Sequence, residues 1–278
     1  MVLRFFDRFW HRALGRPYYL ARTIDEGEGP PVVLLHGIGR TGEVWRHVVE
    51  QLQTKSYRVV AFDLLGFGAS PKPEWLRYTV DDHVTAVIAS LERLKLREPV
   101  ILVGHSMGCL VAVRMAHLRP DLVKHLVLYE MPLYEGLPQK RLYRVRLNLY
   151  FRFYNRLIRL QPTFSPENAR LAERLAPRIV GFEVTEDTWQ PFVKSLENTI
   201  MSQTAAEDIK QLAMPMDVIY GMFDMLVIRG KPTTIFGVDN ANITAHTIRA
   251  RHMISPKASR FLVSRIVAAS QEEVMNGN

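Results

Sequence analysis

The chain has 278 residues, 47% of them hydrophobic and 23% charged. That is enough apolar material for one large core carrying an insertion, and it excludes a disordered or low-complexity protein. Its 36 Lys and Arg against 28 Asp and Glu leave a formal charge of +8. This balance suits nucleic acid, an anionic membrane or an acidic substrate, but no nucleic-acid motif accompanies it, so no nucleic-acid partner is expected.

Residues 2–14 place Leu3, Phe6, Trp10 and Leu14 at helical spacing, with Arg4, Arg8, His11 and Arg12 mostly on the remaining surface. This predicts an amphipathic helix. Arg4, Asp7 and Arg8 interrupt what would be the apolar core of a signal peptide. The apolar stripe is expected to pack on the body of the protein; weak peripheral contact with a membrane is the alternative. The next predicted elements are a strand over Tyr18–Thr23 and, after the turn Gly27–Pro31, one over Val32–Leu35. Strands at Val59–Phe62, Val100–Val103 and Leu126–Tyr129 then alternate with helices at Val80–Leu94 and Gly108–Leu118. Short buried strands alternating with helices predict a mostly parallel, twisted sheet flanked by helices, an α/β fold. Cys109 is the only cysteine, which excludes an intramolecular disulfide and fits a cytoplasmic protein. No apolar run approaches the ~20 residues needed to span a bilayer.

The alternation stops near Met131. From 131 to 213 the pattern is helical, punctuated by prolines and rich in arginine and aromatics between Arg141 and Arg159. An inserted helical cap is expected there, with residues 1–130 and 214–278 forming the core. The arginines are expected on a solvated face and the aromatics in the cap's own core. Strands resume at Met216–Tyr220 and Ile243–Ile248, and a last helix covers about Lys257–Glu272.

Gly104-His105-Ser106-Met107-Gly108 lies between a predicted strand and a predicted helix. In that setting the pentapeptide reads as a nucleophile turn. A tight bend projects Ser106 above the sheet, and glycines are needed where strand and helix pass close by. The helix N-terminus behind the serine favours developing negative charge. His105 reads as a packing or positioning residue.

With these motifs the chain resembles the α/β-hydrolase superfamily, in particular its capped serine esterases and their meta-cleavage-product hydrolase relatives. The resemblance spans about residues 17–272 and rests on four motifs in order. Beside Gly104–Gly108 there are His36-Gly37-Ile38-Gly39, the loop Asp63-Leu64-Leu65-Gly66-Phe67-Gly68-Ala69-Ser70, and a late acid and histidine. It implies an oxyanion hole from the backbone N–H groups of Met107 and Ile38. It also implies a triad in the chain order serine, acid, histidine. Of the late histidines, His246 falls inside a strand pattern and His252 just beyond it, ahead of the helix start Ser255-Pro256; His252 is the expected base. Asp224, after the glycine turn that ends Met216–Tyr220, is the expected acid, with Glu130 the runner-up. Arg251 stands where such enzymes commonly carry a glycine.

The implied activity is hydrolysis of small-molecule carboxylic esters through an acyl-enzyme, without metal or organic cofactor. Lactones and thioesters suit the same machinery. A serine at the turn argues against haloalkane dehalogenases and epoxide hydrolases, which resemble this fold but use aspartate there. C–C bond hydrolysis of ring-cleavage products is the alternative, disfavoured by Arg40 in the oxyanion loop and Met253 after the histidine. A non-catalytic binding protein is disfavoured by the intact Ser106, Asp224 and His252.

Overall fold

A computed structural model of the chain describes residues 9–133, 184–224 and 240–276, with isolated positions between these stretches. Its centre is a seven-stranded sheet in the order β1-β3-β2-β4-β5-β6-β7. The strands are β1 (Arg22–Glu26), β2 (Pro31–Leu35), β3 (Arg58–Phe62), β4 (Val100–His105), β5 (Val123–Tyr129), β6 (Met216–Gly221) and β7 (Ile243–Ile248). Only β1, at one edge, runs antiparallel to its neighbour.

The central strands read as unbroken apolar runs because both faces of the sheet are covered. Val33, Leu35, Val60, Phe62 and Leu102 point into one hydrophobic cluster, with helices α2 (Val80–Glu92) and α3 (Met107–Leu118). Their neighbours Val32, Leu34, Val59, Ala61, Ile101 and Val103 point into the other. Helices α1 (Arg46–Gln53) and α6 (Pro256–Asn276) pack there. Helix α2 starts at a reciprocal cap: Thr79 Oγ1 accepts from the Asp82 N–H at 3.1 Å and the Asp82 carboxylate accepts from the Thr79 N–H at 2.8 Å. The Ser255-Pro256 start of α6 is observed, with the Ala258 N–H donating to Ser255 Oγ at 3.2 Å.

Two expectations are corrected. The strand expected over Tyr18–Thr23 begins only at Arg22. The Leu20 and Ala21 N–H groups donate to Ser90 Oγ and Ser70 Oγ, each at 2.8 Å, and so are unavailable to a sheet ladder. At the N-terminus, the described part of the expected helix is one π-helical turn, Phe9–Ala13, with no buried residue. At the described positions its sense is the reverse of the expected one; Leu3 and Phe6 of the expected stripe lie outside the described residues. His11 stacks on Tyr18 with ring centroids 3.6 Å apart and its Nδ1 lies 2.6 Å from the Arg16 carbonyl, while Trp10 is 53% and Leu14 50% exposed.

Of the expected cap, residues 131–133 and 184–213 are described, and the second stretch is mostly helical; the aromatic and arginine-rich stretch lies outside the described residues apart from isolated positions. Helix α4 (Glu186–Ser195), a π-helical turn (Leu196–Ile200) and helix α5 (Ala205–Gln211) sit on the sheet-side cluster through Trp189, Phe192, Leu196 and Ile200. Lys194 Nζ reaches the Glu74 carbonyl at 2.6 Å, and Thr199 Oγ1 the Tyr78 carbonyl at 2.8 Å. No helix among the described residues is long and apolar enough to cross a membrane.

At the amino ends of the late parallel strands, buried Asp217 gathers three elements. Its carboxylate meets His125 Nε2 at 3.0 Å, His246 Nε2 at 2.5 Å and Arg265 Nε at 2.9 Å. Burial alone would raise this carboxyl, but the hydrogen bonds from His125, His246 and Arg265 outweigh it and hold it below its ordinary range. Asp217→Asn should therefore destabilise the protein by about 3 kcal/mol at neutral pH, the usual cost of removing one partner of a buried ion pair. A depressed carboxyl contributes stability above the unfolded pKa of ~3.9 and loses it as pH falls through the folded value. The gap between wild type and variant in denaturant melts should thus close on acidification through that window.

Candidate active site

Strand β4 ends at His105 and helix α3 begins at Met107, leaving Ser106 alone to turn the chain. It does so at φ 52°, ψ −121°, a region that side-chain-bearing residues rarely adopt. The bend is tight enough to demand glycine on both sides. A Cβ on Gly104 would lie 2.7 Å from the Cys109 backbone, and one on Gly108 would lie 2.3 Å from the Leu35 carbonyl oxygen. Gly37 approaches from the loop after β2, where a Cβ would stand 3.0 Å from Ser106 Cβ. That close approach sets the backbone of Gly37, the residue before Ile38, beside the serine. The Met107 N–H, at the first position of that helix, lies among the groups that helical geometry leaves without an intrahelical partner.

The loop after β2 is itself tied down. His36 Nε2 accepts from the Leu64 N–H at 2.7 Å, so its proton sits on Nδ1, which faces the Gly37 carbonyl at 2.7 Å. Burial pushes the His36 pKa down to about 4, keeping the ring neutral in this bridging role. The next loop closes on Asp63, whose carboxylate accepts from Thr23 Oγ1, the Gly42 N–H and the Ala69 N–H at 2.6–2.9 Å. A Cβ on Gly68 would stand 2.0 Å from that carboxylate. The Asp63–Ser70 motif is therefore a wrapped carboxylate that shapes the loop beside the site.

On the far side of Ser106, the loops after β6 and β7 are zipped together. The Met222 N–H donates to the Ile248 carbonyl at 2.7 Å and the Phe223 N–H to the Ala250 carbonyl at 3.0 Å. This seats buried Asp224 against buried His252, with Oδ2 2.7 Å from Nδ1. The other Asp224 oxygen accepts from the Val227 N–H at 3.2 Å. His105 spans the remaining gap: its Nε2–H donates to the His252 carbonyl at 2.8 Å, and the two rings lie 5.0 Å apart. Burial, with His252 nearby, pushes the His105 pKa down to about 3. His105 is thus a neutral clamp on His252. Arg251 needs no glycine's freedom here, because its carbonyl receives Tyr129 Oη at 2.6 Å while its side chain is exposed.

The structure therefore brings Asp224 and His252 into direct contact and ties them to Ser106 through its neighbour His105. Among the described residues Ser106 Oγ makes no hydrogen bond to His252, and contacts of this kind are often loose until substrate tightens them. His246 lies elsewhere, on Asp217. Glu130 does not replace Asp224 but joins it. It follows β5 at φ 54°, is buried, and accepts from the Gly221 N–H at 2.6 Å. Ligand atoms of Glu130, Asp224 and His252 all lie within 4.8 Å of one another. A cation there would compete with Asp224 for His252 Nδ1, so the arrangement reads as one imidazole facing two carboxylates. Both acids stand at the ends of paired strands β5 and β6, which is why they converge on one imidazole.

Residues 30–230 match the family model for the alpha/beta hydrolase fold. A 121-residue stretch is 37% identical to a protein of Arabidopsis thaliana named as a probable lysophospholipase, BODYGUARD 4, covering 42% of this chain and 29% of that protein. A 110-residue stretch is 36% identical to a 2-hydroxy-6-oxo-6-(2'-aminophenyl)hexa-2,4-dienoic acid hydrolase of Metapseudomonas resinovorans, covering 38% and 37%. The match thus spans well under half the length of these relatives. The fold is shared with a solved meta-cleavage product hydrolase from Pseudomonas fluorescens, at 24% identity and TM-score 0.63, over 90% of this chain and 93% of that one.

The strain at Ser106 has a measurable consequence. A non-glycine residue in such a backbone region costs roughly 1–3 kcal/mol, more than the 0.5–1 kcal/mol or so that glycine loses in chain entropy. Ser106→Gly should therefore raise stability by about 1 kcal/mol, seen as a higher midpoint in thermal or denaturant unfolding. An unchanged or lowered midpoint would mean that the turn is not strained.

Proposed function

Because the chain belongs to the α/β-hydrolase family, we propose that it is a serine hydrolase cleaving carboxylic esters through an acyl-enzyme, with Ser106, His252 and Asp224 as its triad. The observation that carries this reading is the strained Ser106 turn, coupled through His105 to a buried His252–Asp224 pair. The proposed first step is attack of Ser106 Oγ on the ester carbonyl carbon while His252 Nε2 takes its proton. Asp224 Oδ2 accepts from Nδ1–H, fixing the tautomer that leaves Nε2 able to receive a proton and stabilising the imidazolium. The Ile38 and Met107 N–H groups are assigned to the oxyanion, where losing one donor typically costs about 10²–10³ in turnover. The alcohol leaves with the proton held by His252, and water, activated by the same imidazole, hydrolyses the acyl-serine. Serine at the turn favours this route over the alkyl-enzyme chemistry of relatives that use aspartate. The inserted segment 131–213 is assigned as the cap of such an enzyme.

Ser106 should react one-to-one with a fluorophosphonate probe, and Ser106→Ala should neither label nor hydrolyse chromogenic esters of graded acyl length. Labelling at another serine by mass spectrometry would reject the assignment. His252→Ala should lose nearly all turnover, whereas His246→Ala should lose stability with turnover per folded molecule retained.

The two carboxylates divide by geometry. Asp224 touches Nδ1, so Asp224→Asn should lower kcat by up to ~10⁴, the loss seen when a triad acid is replaced. Glu130 also braces the Gly221 turn that carries Asp224, and a glutamine oxygen can accept the same N–H, so Glu130→Gln should retain most of kcat. Steady-state kinetics on both variants decide the matter. An active Asp224→Asn beside a dead Glu130→Gln would exchange their roles.

A further inference from the structure

The N-terminal segment presents the opposite of what a core-seeking stripe should. Phe9 (49%), Trp10 (53%), Leu14 (50%) and Tyr19 (46%) are exposed, and they make up four of the seven large apolar residues exposed among the described residues. Singly exposed apolar residues are ordinary, but four within eleven positions form a concentration. The charges beside them are of one sign. From Arg8 to Ile24 the chain holds Arg8, Arg12, Arg16 and Arg22 and no acidic residue. Arg16 lies 5.9 Å from the centre of the Trp10 ring, and Arg93 from α2 lies 4.2 Å from that of Tyr19. Tyr19, Arg93 and Arg22 also line a cleft of about 320 Å³ whose wall includes Leu20 and Phe62. Arg22 is partly answered by Asp25 at 2.7 Å; Arg12 and Arg16 are exposed.

We propose that residues 9–22, with Arg93, form a docking surface for an anionic phospholipid bilayer. The aromatic and leucine side chains would enter the headgroup boundary and the arginines would face lipid phosphates. Tryptophan beside arginine is the composition that an interfacial site favours, because the indole is apolar with one polar edge and arginine pairs with phosphate. His11 is anchored on Tyr18, and Trp10 and Leu14 beside it face outward. The surface lies outside the triad, so this inference stands or falls independently of the chemistry proposed for Ser106.

Trp10 supplies an internal reporter. Of the four tryptophans, Trp45 and Trp189 are buried and Trp75 is half-buried, leaving Trp10 as the exposed one. The full chain should float with vesicles containing phosphatidylglycerol and show a blue shift in tryptophan emission, with little response to pure phosphatidylcholine. Added salt should weaken binding by screening the arginines. Trp10→Phe should float but lose the blue shift. Trp10→Glu combined with Leu14→Glu should abolish flotation. Arg12→Glu combined with Arg16→Glu should weaken binding on the order of tenfold or more, at ~1 kcal/mol for each basic residue near the surface. These positions lie outside the core, so turnover of a soluble ester and the melting midpoint should be unchanged in each variant. Ser106→Ala should bind as wild type, which separates docking from catalysis. Absence of flotation, equal binding to neutral vesicles, or binding that survives the glutamate pair would overturn the proposal. A concentration-dependent dimer in ultracentrifugation that shields Trp10 from acrylamide would overturn it in favour of self-association.

Discussion

Close backbone approach around one strained residue organises this molecule. Ser106 takes a positive φ because β4 must hand the chain directly to α3. At Gly104 and Gly108 neighbouring backbone comes too near for a side chain, and at Gly37 a Cβ would press on the Ser106 and His105 side chains. The same turn therefore does three jobs. It lifts the serine out of the sheet, brings the start of α3 against the carbonyls of Leu35 and His36, and draws the loop after β2 to the serine's side. The Ser106 N–H donates to the Tyr129 carbonyl at 3.0 Å, locking the bend to the next strand. Strain of this kind persists only where its surroundings over-determine it, and here they do so on every side.

The second dependence runs through histidines kept neutral by burial. His36 bridges two loops, His83 meets Ser195 Oγ at 3.1 Å beneath α4, and His105 clamps the backbone of His252. Burial holds the first near 4 and the other two near 3, so none changes charge through the range in which an ordinary histidine titrates. His36 bonds through both ring nitrogens, whereas His83 and His105 each bond through Nε2. His252 differs from them in having a carboxylate directly on its ring nitrogen.

Much of this was legible in the sequence, for identifiable reasons. Parallel strands covered on both faces leave uninterrupted apolar runs, so β2 through β6 could be read to within a few residues. The Ser106 turn declares itself because its glycines are demanded by backbone contact. Asp224 and His252 follow strands in the right order, and strand ends converge in a parallel sheet. Helix α1 escaped notice because eight residues containing only Val48, Val49 and Leu52 as buried apolar positions give little periodicity. The Asp217 network was invisible because its partners lie 92, 29 and 48 residues away. The N-terminal turn misled because an amphipathic pattern records that two faces differ, not which one meets the protein. His11 has a specific aromatic partner in Tyr18, and Trp10 and Leu14 beside it face outward.

The same sheet carries two carboxylate–histidine constellations, and their contrast shows what site geometry adds to residue type. Asp217 receives two imidazoles and a guanidinium, and every one of those groups is committed to joining β5, β6, β7 and α6. With its donors arriving from three elements, such a carboxylate works as a structural hub. Asp224 has one imidazole, one backbone N–H from Val227, and Glu130 close by. That imidazole stands beside His105, the residue that precedes the strained serine turn. An aspartate and a histidine in contact are therefore no mark of a reactive pair by themselves. What separates the two is what else shares the carboxylate and what stands beside the ring. In the Asp217 network His246 gives its Nε2 to the carboxylate and packs its ring against Phe261, with centroids 5.4 Å apart. In the Asp224 pair Nδ1 meets the carboxylate and the ring lies beside His105, the residue before Ser106. The assignment of His252 over His246 rests on that difference.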